Sequence, residues 1–197
     1  LVTILGSSGS GKTTTLKLIL GLLRRDAGEV VLFGRQSAGG EKELKEQIGV
    51  VFDECNFPDN LTAADVNSIL AHVYRNWDSG KFRSCCKRFS LPETKIVKDY
   101  SRGMKMKLQI SAALSHQARL LILDEATSGL DPVARDEILD LFLEFIGDEK
   151  HSILFSSHIT GDLEKIADYV TFLHAGKTVF SEEKDALLED CGILKCG

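Results

Sequence analysis

No apolar run in this chain approaches the roughly 20 residues that a bilayer-spanning helix needs. Its longest apolar stretches, such as 18–23 and 120–123, are far too short. Basic charge is not in excess either: 24 Lys and Arg stand against 29 Asp and Glu, a formal net charge of -5, with the two signs interspersed. A nucleic-acid footprint wants a basic stripe, so no nucleic acid is expected as a partner. The five cysteines, Cys55, Cys85, Cys86, Cys191 and Cys196, contain no C-x-x-C pair and no disulfide-framework spacing. That fits structural thiols kept reduced in a cytosol. At 197 residues the chain is long enough for one sizeable core and short for two, so one domain with a small inserted lobe is expected. Both ends are expected to continue in a longer protein, because LVTIL at the start runs straight into a glycine-rich loop and CGILKCG closes without a finishing element.

That loop is the first positive signal. Residues 6–13 read GSSGSGKT, which satisfies G-x4-G-K-S/T, with a strand-like LVTIL before it and a helix-like stretch at 14–23 after it. Glycines and serines let the backbone bend until successive N–H groups point inward at phosphate oxygens, and the following helix adds its positive end. Gly6, Ser7, Ser8, Gly9, Ser10, Gly11, Lys12, Thr13 and Thr14 are therefore candidate nucleotide-binding residues. Lys12 is expected to reach the β- and γ-phosphates and the Thr13 hydroxyl to ligate Mg²⁺, a hard cation that takes few protein oxygens. A second GKT at 176–178 lacks the upstream glycine, since Thr171 stands there, and reads as a hairpin turn between YVTFL and TVF.

The run LLIL at 120–123 ends in Asp124 and Glu125. A strand apolar on both faces suits the interior of a parallel sheet covered by helices, and ligands of such sheets gather at the carboxyl ends of the strands. Adjacent carboxylates there suit holding a hydrated metal ion and polarising a water. Taken alone, the pair reads more simply as a solvated acidic turn. Between the two motifs, 58–91 reads as helices, with Phe57, Tyr74, Trp77 and Phe82 as groove or core residues. Residues 104–116 read as an amphipathic helix with Leu108, Ala112 and Ile110 inward. Arg102, Lys105 and Lys107 crowd its start, where cations oppose the helix dipole and a bound anion would reverse the sign. After Asp131 an amphipathic helix follows, then a helix and strand through DLEKIADYVTFL, and SEEKDALLED reads as a final charged helix.

Together these motifs resemble the ATP-binding cassette (ABC) ATPases. LLILDEATSGLD is similar to their Walker B strand and D-loop, YSRGM to a variant of the LSGGQ signature, and ILFSSH at 153–158 to the strand and switch histidine. The wording is most like the ATPase subunits of bacterial ABC-2-type exporters. The resemblance implies an α/β fold, a P-loop NTPase (RecA-like) core with a mainly parallel sheet at 1–52 and 112–180. It also implies an inserted helical subdomain with the signature at 53–111, followed by a helical tail at 181–197. It implies that Asp124 supports Mg²⁺, that Glu125 is the general base or water-orienting carboxylate, and that His158 contacts and senses the γ-phosphate. Ser101 and Gly103 would bind ATP held on another protomer, in a head-to-tail dimer. Asp131 belongs to the D-loop by the same resemblance, and a helix N-cap before Pro132 is an equally physical reading.

The implied function is Mg²⁺-dependent ATP hydrolysis that powers export by a separate transmembrane permease, from a cytoplasmic position on the inner face of the cell membrane. Alternatives are a soluble ABC ATPase acting on ribosomes or DNA and a nucleotide-dependent regulatory module without turnover. A GTPase is not expected, since no N-K-x-D motif occurs. The chain departs from the family pattern at four places. Asp53 stands where a metal-contacting glutamine is usual, Arg102 replaces the first signature glycine, Met104 the signature glutamine, and Ala126 the proline after the Walker B glutamate. Asp53 or Glu54 would then make the approach to the metal through water. The family's adenine-stacking aromatic lies upstream of the P-loop and is not among these residues.

Overall fold

The computed structural model describes residues 1–37 and 41–190. In chain order they form β1 (Val2–Leu5), α1 (Lys12–Ile19), β2 (Val31–Leu32), β3 (Arg35–Gln36), α2 (Lys42–Lys45) and β4 (Ile48–Val51). Next come α3 (Ala63–Val73), α4 (Ser79–Arg88), α5 (Arg102–Ala113), β5 (Leu120–Asp124), α6 (Pro132–Ile146) and β6 (Ser152–Ser157). The described chain closes with α7 (Thr160–Ile166), β7 (Tyr169–His174), β8 (Lys177–Glu183) and α8 (Lys184–Asp190).

Six strands make one sheet in the order β4-β5-β6-β1-β7-β8, parallel except for the antiparallel β7–β8 hairpin. The apolar run of β5 explains its inner position: alternate side chains of a strand face opposite sides, and both sides here are covered. Leu121 and Leu123 pack in one cluster with Met106 and Leu108 of α5, Ile138 and Phe142 of α6, and Phe155 of β6. Ile122 packs in the other with Ile4 and with Leu16 of α1. The sheet is thus sandwiched, and its parallel strands all end at the same edge, where the loops after β1 and β5 meet.

Helix α5 is pressed close to β4. A Cβ at Gly49 would stand 2.6 Å from Leu121 Cδ2 and 2.8 Å from the Ala113 carbonyl oxygen. Gly49→Ala is therefore expected to lower stability by about 1–3 kcal/mol through overpacking, read as a lower urea midpoint with an unchanged slope.

Three expectations are corrected in detail. The helix expected at 104–116 starts at Arg102 with Ser101 as its cap, so Gly103 lies within its first turn, and it ends at Ala113 before a 3-10 turn over Leu114–His116. It is buried on more than one stripe, Met106, Gln109, Ser111 and Ala113 joining Leu108, Ile110 and Ala112, because it lies between the sheet and the α3–α4 layer. The helical tail expected over 181–197 begins only at Lys184. Residues 181–183 extend β8 instead, Glu183 pairing with Tyr169 and Ser181 with Thr171, since β7 reaches back to Tyr169 and the pairing resumes beyond a register shift at Phe172/Leu173. Residues 191–197, with Cys191 and Cys196, lie outside the described residues.

Phe82 is core at 1% exposure, and the Trp77 indole N–H donates to Asn67 Oδ1 at 2.9 Å. Phe57 and Tyr74 instead line a cavity of about 190 Å³ with His116. The Tyr74 and His116 rings stack at 4.1 Å, and burial lowers the His116 pKa. Among the described residues Cys55, Cys85 and Cys86 are free thiols, and burial pushes Cys86 up to about 11. No helix among the described residues is long and apolar enough to cross a membrane.

Candidate functional site

The loop after β1 calls for glycine at three positions. Gly9 and Gly11 have φ of 77 and 107, in the left-handed region where a Cβ is disfavoured. At Gly6 a Cβ would collide with Ser10 Oγ and with the Leu173 carbonyl oxygen. Gly11 is the N-cap of α1 and brings no side-chain acceptor, so the first N–H groups of that helix remain available at the mouth of the loop. The second glycine-lysine motif has a supporting role: the Gly176 N–H donates to the Ser10 carbonyl at 2.9 Å. The β7–β8 hairpin thus braces the loop from behind.

Opposite the loop stand the ends of β5 and β6. Their parallel register sets Asp124 beside Ser156, and Ser156 Oγ donates to Asp124 Oδ1 at 2.5 Å. The other carboxylate oxygen accepts from Thr13 Oγ1 at 2.7 Å. Asp124 is 4% exposed, and a buried carboxylate needs both these donors. Glu125 follows in a left-handed conformation, φ 53, which costs an L-residue roughly 1–2 kcal/mol. Its N–H donates to the Ser156 carbonyl at 3.0 Å and lies 3.2 Å from Ser156 Oγ, which holds the backbone in place. The side chain turns to two partners, with Lys12 Nζ 3.3 Å from Oε1 and His158 Nδ1 2.7 Å from Oε2. Lys12 also donates to the Gly6 and Ser7 carbonyls at 2.7 and 3.2 Å.

These groups enclose a cleft of about 600 Å³, within the range of about 300–1,000 Å³ typical of ligand sites. Ser7, Ser8, Gly9, Gly11, Lys12, Thr13 and Thr14 line one side, and Asp53, Asp124, Glu125, Ser128 and His158 the other. Gly6 and Ser10 do not line the cleft; Ser10 is buried behind the loop, at 3% exposure. Ser101, Gly103 and Asp131 do not line it either. Ser101 caps α5 by accepting from the Met104 N–H, and Asp131 caps α6 by accepting from the Ala134 N–H. Gly103 packs toward the loop after β5, where a Cβ would stand 3.4 Å from Leu130 Cδ2. The cations at the start of α5 all have acidic partners in this chain: Arg102 pairs with Asp53, Lys105 with Asp59 at 3.6 Å and Lys107 with Glu137 at 2.7 Å. These cations are thus paired within the chain itself.

Two contributors escaped sequence reasoning. Ser156 holds both Asp124 and the Glu125 backbone, and its signal was the strand register. Asp162 is fully buried and accepts from Thr127 Oγ1 and Arg135 Nε, each at 2.5 Å. It ties the loop after Glu125 to the helix after His158. In TGDLEK it reads as an ordinary surface residue, and no local signal marks it.

The donor set fits a magnesium nucleotide. Among the described residues no three His, Cys, Asp or Glu side chains cluster to hold a metal by themselves. A cation at this cleft would take the Thr13 and Asp124 oxygens and complete its shell with phosphate and water oxygens, which is how Mg²⁺ prefers to bind.

The family described as ABC transporter matches residues 1–128. The bacitracin transport ATP-binding protein BcrA of Bacillus licheniformis is 36% identical over 175 residues, covering 88% of this chain and 57% of BcrA. The ABC transporter ATP-binding protein NatA of Bacillus subtilis is 31% identical over 194 residues, covering 95% of this chain and 78% of NatA. The chain therefore spans little more than half of one such relative. In three dimensions it is similar to the dimeric ATP-binding cassette MJ0796 in a post-hydrolysis state bound to ADP and Pi, with a TM-score of 0.80 and 25% identity. That match covers 93% of this chain and 84% of the other. It is also similar to an ATP-binding subunit of an ABC transporter, with a TM-score of 0.84 and 26% identity, covering 95% and 80%. The cleft, the mostly parallel sheet with its helical subdomain and these matches agree: the fold is that of a P-loop NTPase, and the chain belongs to the ABC transporter family.

Proposed function

We propose that this chain is the ATP-binding and ATP-hydrolysing unit that powers export through a separate transmembrane permease, on the cytoplasmic face of the membrane. The observation that carries this reading is the Thr13–Asp124 hydrogen bond. It closes the phosphate loop onto the carboxylates of β5 across 111 residues of sequence and makes the two motifs one cleft.

In this reading Lys12 and the loop N–H groups hold the β- and γ-phosphates, and Thr13 with Asp124 holds Mg²⁺. The bound cation would supply positive charge to the phosphate oxygens. Glu125 orients the attacking water and accepts its proton. The left-handed backbone and the Lys12 and His158 contacts fix its direction, and phosphoryl transfer needs little beyond such alignment. His158 steers Glu125 through Nδ1 and is assigned the γ-phosphate contact by family resemblance.

Ser101, Gly103 and Asp131 lie outside the cleft of their own chain. That supports their service to the nucleotide of a second protomer in a head-to-tail dimer. The domain division follows the same resemblance, with a core at 1–52 and 112–180 and a helical subdomain at 53–111. The cavity beside Phe57 and Tyr74 is the surface assigned to the permease. The test is turnover: the chain should hydrolyse ATP with Mg²⁺ and lose that activity on chelation, and phosphate release unaffected by removal of divalent cations would overturn the reading.

A further inference from the structure

Asp53 and Arg102 are 49 residues apart and form an ion pair. Asp53 follows β4 and lines the cleft beside Lys12, Asp124 and Glu125. Arg102 is the first residue of α5. Their side chains are 45% and 51% exposed, and pairs that open to water contribute little to folding stability. The guanidinium also lies on the backbone of Gly129, where a Cβ would stand 2.8 Å from Nη1 and 3.0 Å from Cζ. One cation therefore touches three segments at the rim: the end of β4, the start of α5 and the loop after β5.

The charges of the cleft say what this contact does. Asp53, Asp124 and Glu125 face one lysine, Lys12. Asp124 is satisfied by Thr13 and Ser156, and Glu125 by Lys12 and His158. The Asp53 carboxylate has Arg102. A nucleoside triphosphate stays anionic even with one divalent cation bound. An uncompensated carboxylate at the mouth would repel it through a region where low-dielectric walls focus the field.

We propose that Arg102 is the electrostatic partner of Asp53 within one chain, so that the pair presents a neutral group to the phosphates and sets the affinity of the cleft for a magnesium nucleotide. Arg102 is a positioning residue in this scheme and touches no reacting atom. The inference rests on the reading of the cleft as a nucleotide site.

Electrostatic pairing and simple bracing give different signs. Arg102→Ala bares the carboxylate and should weaken binding about 5- to 10-fold. Asp53→Asn frees the guanidinium beside the phosphates and should tighten binding about threefold or more. The double variant should return to within about twofold of the native chain, and all differences should shrink at high salt. A contact that only braced three segments would be broken in every variant, and the double variant would recover nothing.

The experiment is calorimetric titration of the chain and its three variants with Mg²⁺ and the non-hydrolysable analogue AMP-PNP, at low and high salt. Opposite signs for the single variants with recovery in the double variant support the proposal. Weakening by both single variants, or a double variant as weak as Arg102→Ala, overturns it. If Arg102→Ala does not fold, the sign of Asp53→Asn decides. Failure of the native chain to bind overturns the nucleotide reading itself and the role of the pair with it, whereas binding with effects of one sign overturns the pairing alone.

Discussion

Glu125→Gln is expected to cut ATP hydrolysis by roughly 10²- to 10⁴-fold, the usual contribution of a positioned general base, while nucleotide binding survives. The amide keeps the size of the side chain and one carbonyl oxygen, so the contact from His158 Nδ1, 2.7 Å away, can persist as a donor-to-carbonyl bond. What is lost is the negative charge and the capacity to take a proton from water. The strained backbone at φ 53 is unaffected, because Ser156 and not the side chain holds it. Binding should be native or tighter, since a carboxylate lining the proposed nucleotide cleft has been neutralised. Phosphate release and analogue titration on the same preparation read the two effects separately. Turnover equal to that of the native chain would remove Glu125 from the catalytic role.

Lys12→Ala should act the other way, on affinity. Lys12 is 6% exposed and already held by the Gly6 and Ser7 carbonyls, with Glu125 Oε1 at 3.3 Å. Its ammonium is the one lysine among the groups lining the cleft. Truncating one partner of a buried charged contact costs about 2–5 kcal/mol, so the dissociation constant for Mg²⁺ with AMP-PNP should rise roughly 30-fold or more. Glu125 would also lose a contact, so turnover at saturating ATP should fall as well. Titration showing native affinity would exclude Lys12 as the phosphate ligand.

The two motifs were legible for the same reason: each is a short stretch whose residue types are forced by local geometry. Positive φ at Gly9 and Gly11 admits few side chains, and an apolar strand ending in carboxylates has few places in a covered parallel sheet. The order of strands was not legible, because β1 sits between β6 and β7 and nothing local to LVTIL names its neighbours. The start of the helical tail expected from Ser181 was misjudged by three residues because SEE reads as polar helix, while pairing with β7 continues through Glu183. Asp162 was invisible, since a carboxylate's burial depends on donors that arrive from Thr127 and Arg135.

The sequence by itself determined the phosphate loop, the carboxylate pair and the family, because backbone conformation and residue chemistry act within a few positions. Only the tertiary structure decided that Ser156 holds the Asp124 carboxylate and the Glu125 backbone, that the 175–176 hairpin braces the loop, and that Asp53 and Arg102 are partners. Each of these joins distant residues, and a hydrogen bond or ion pair is fixed by distance in space, which spacing along the chain does not encode.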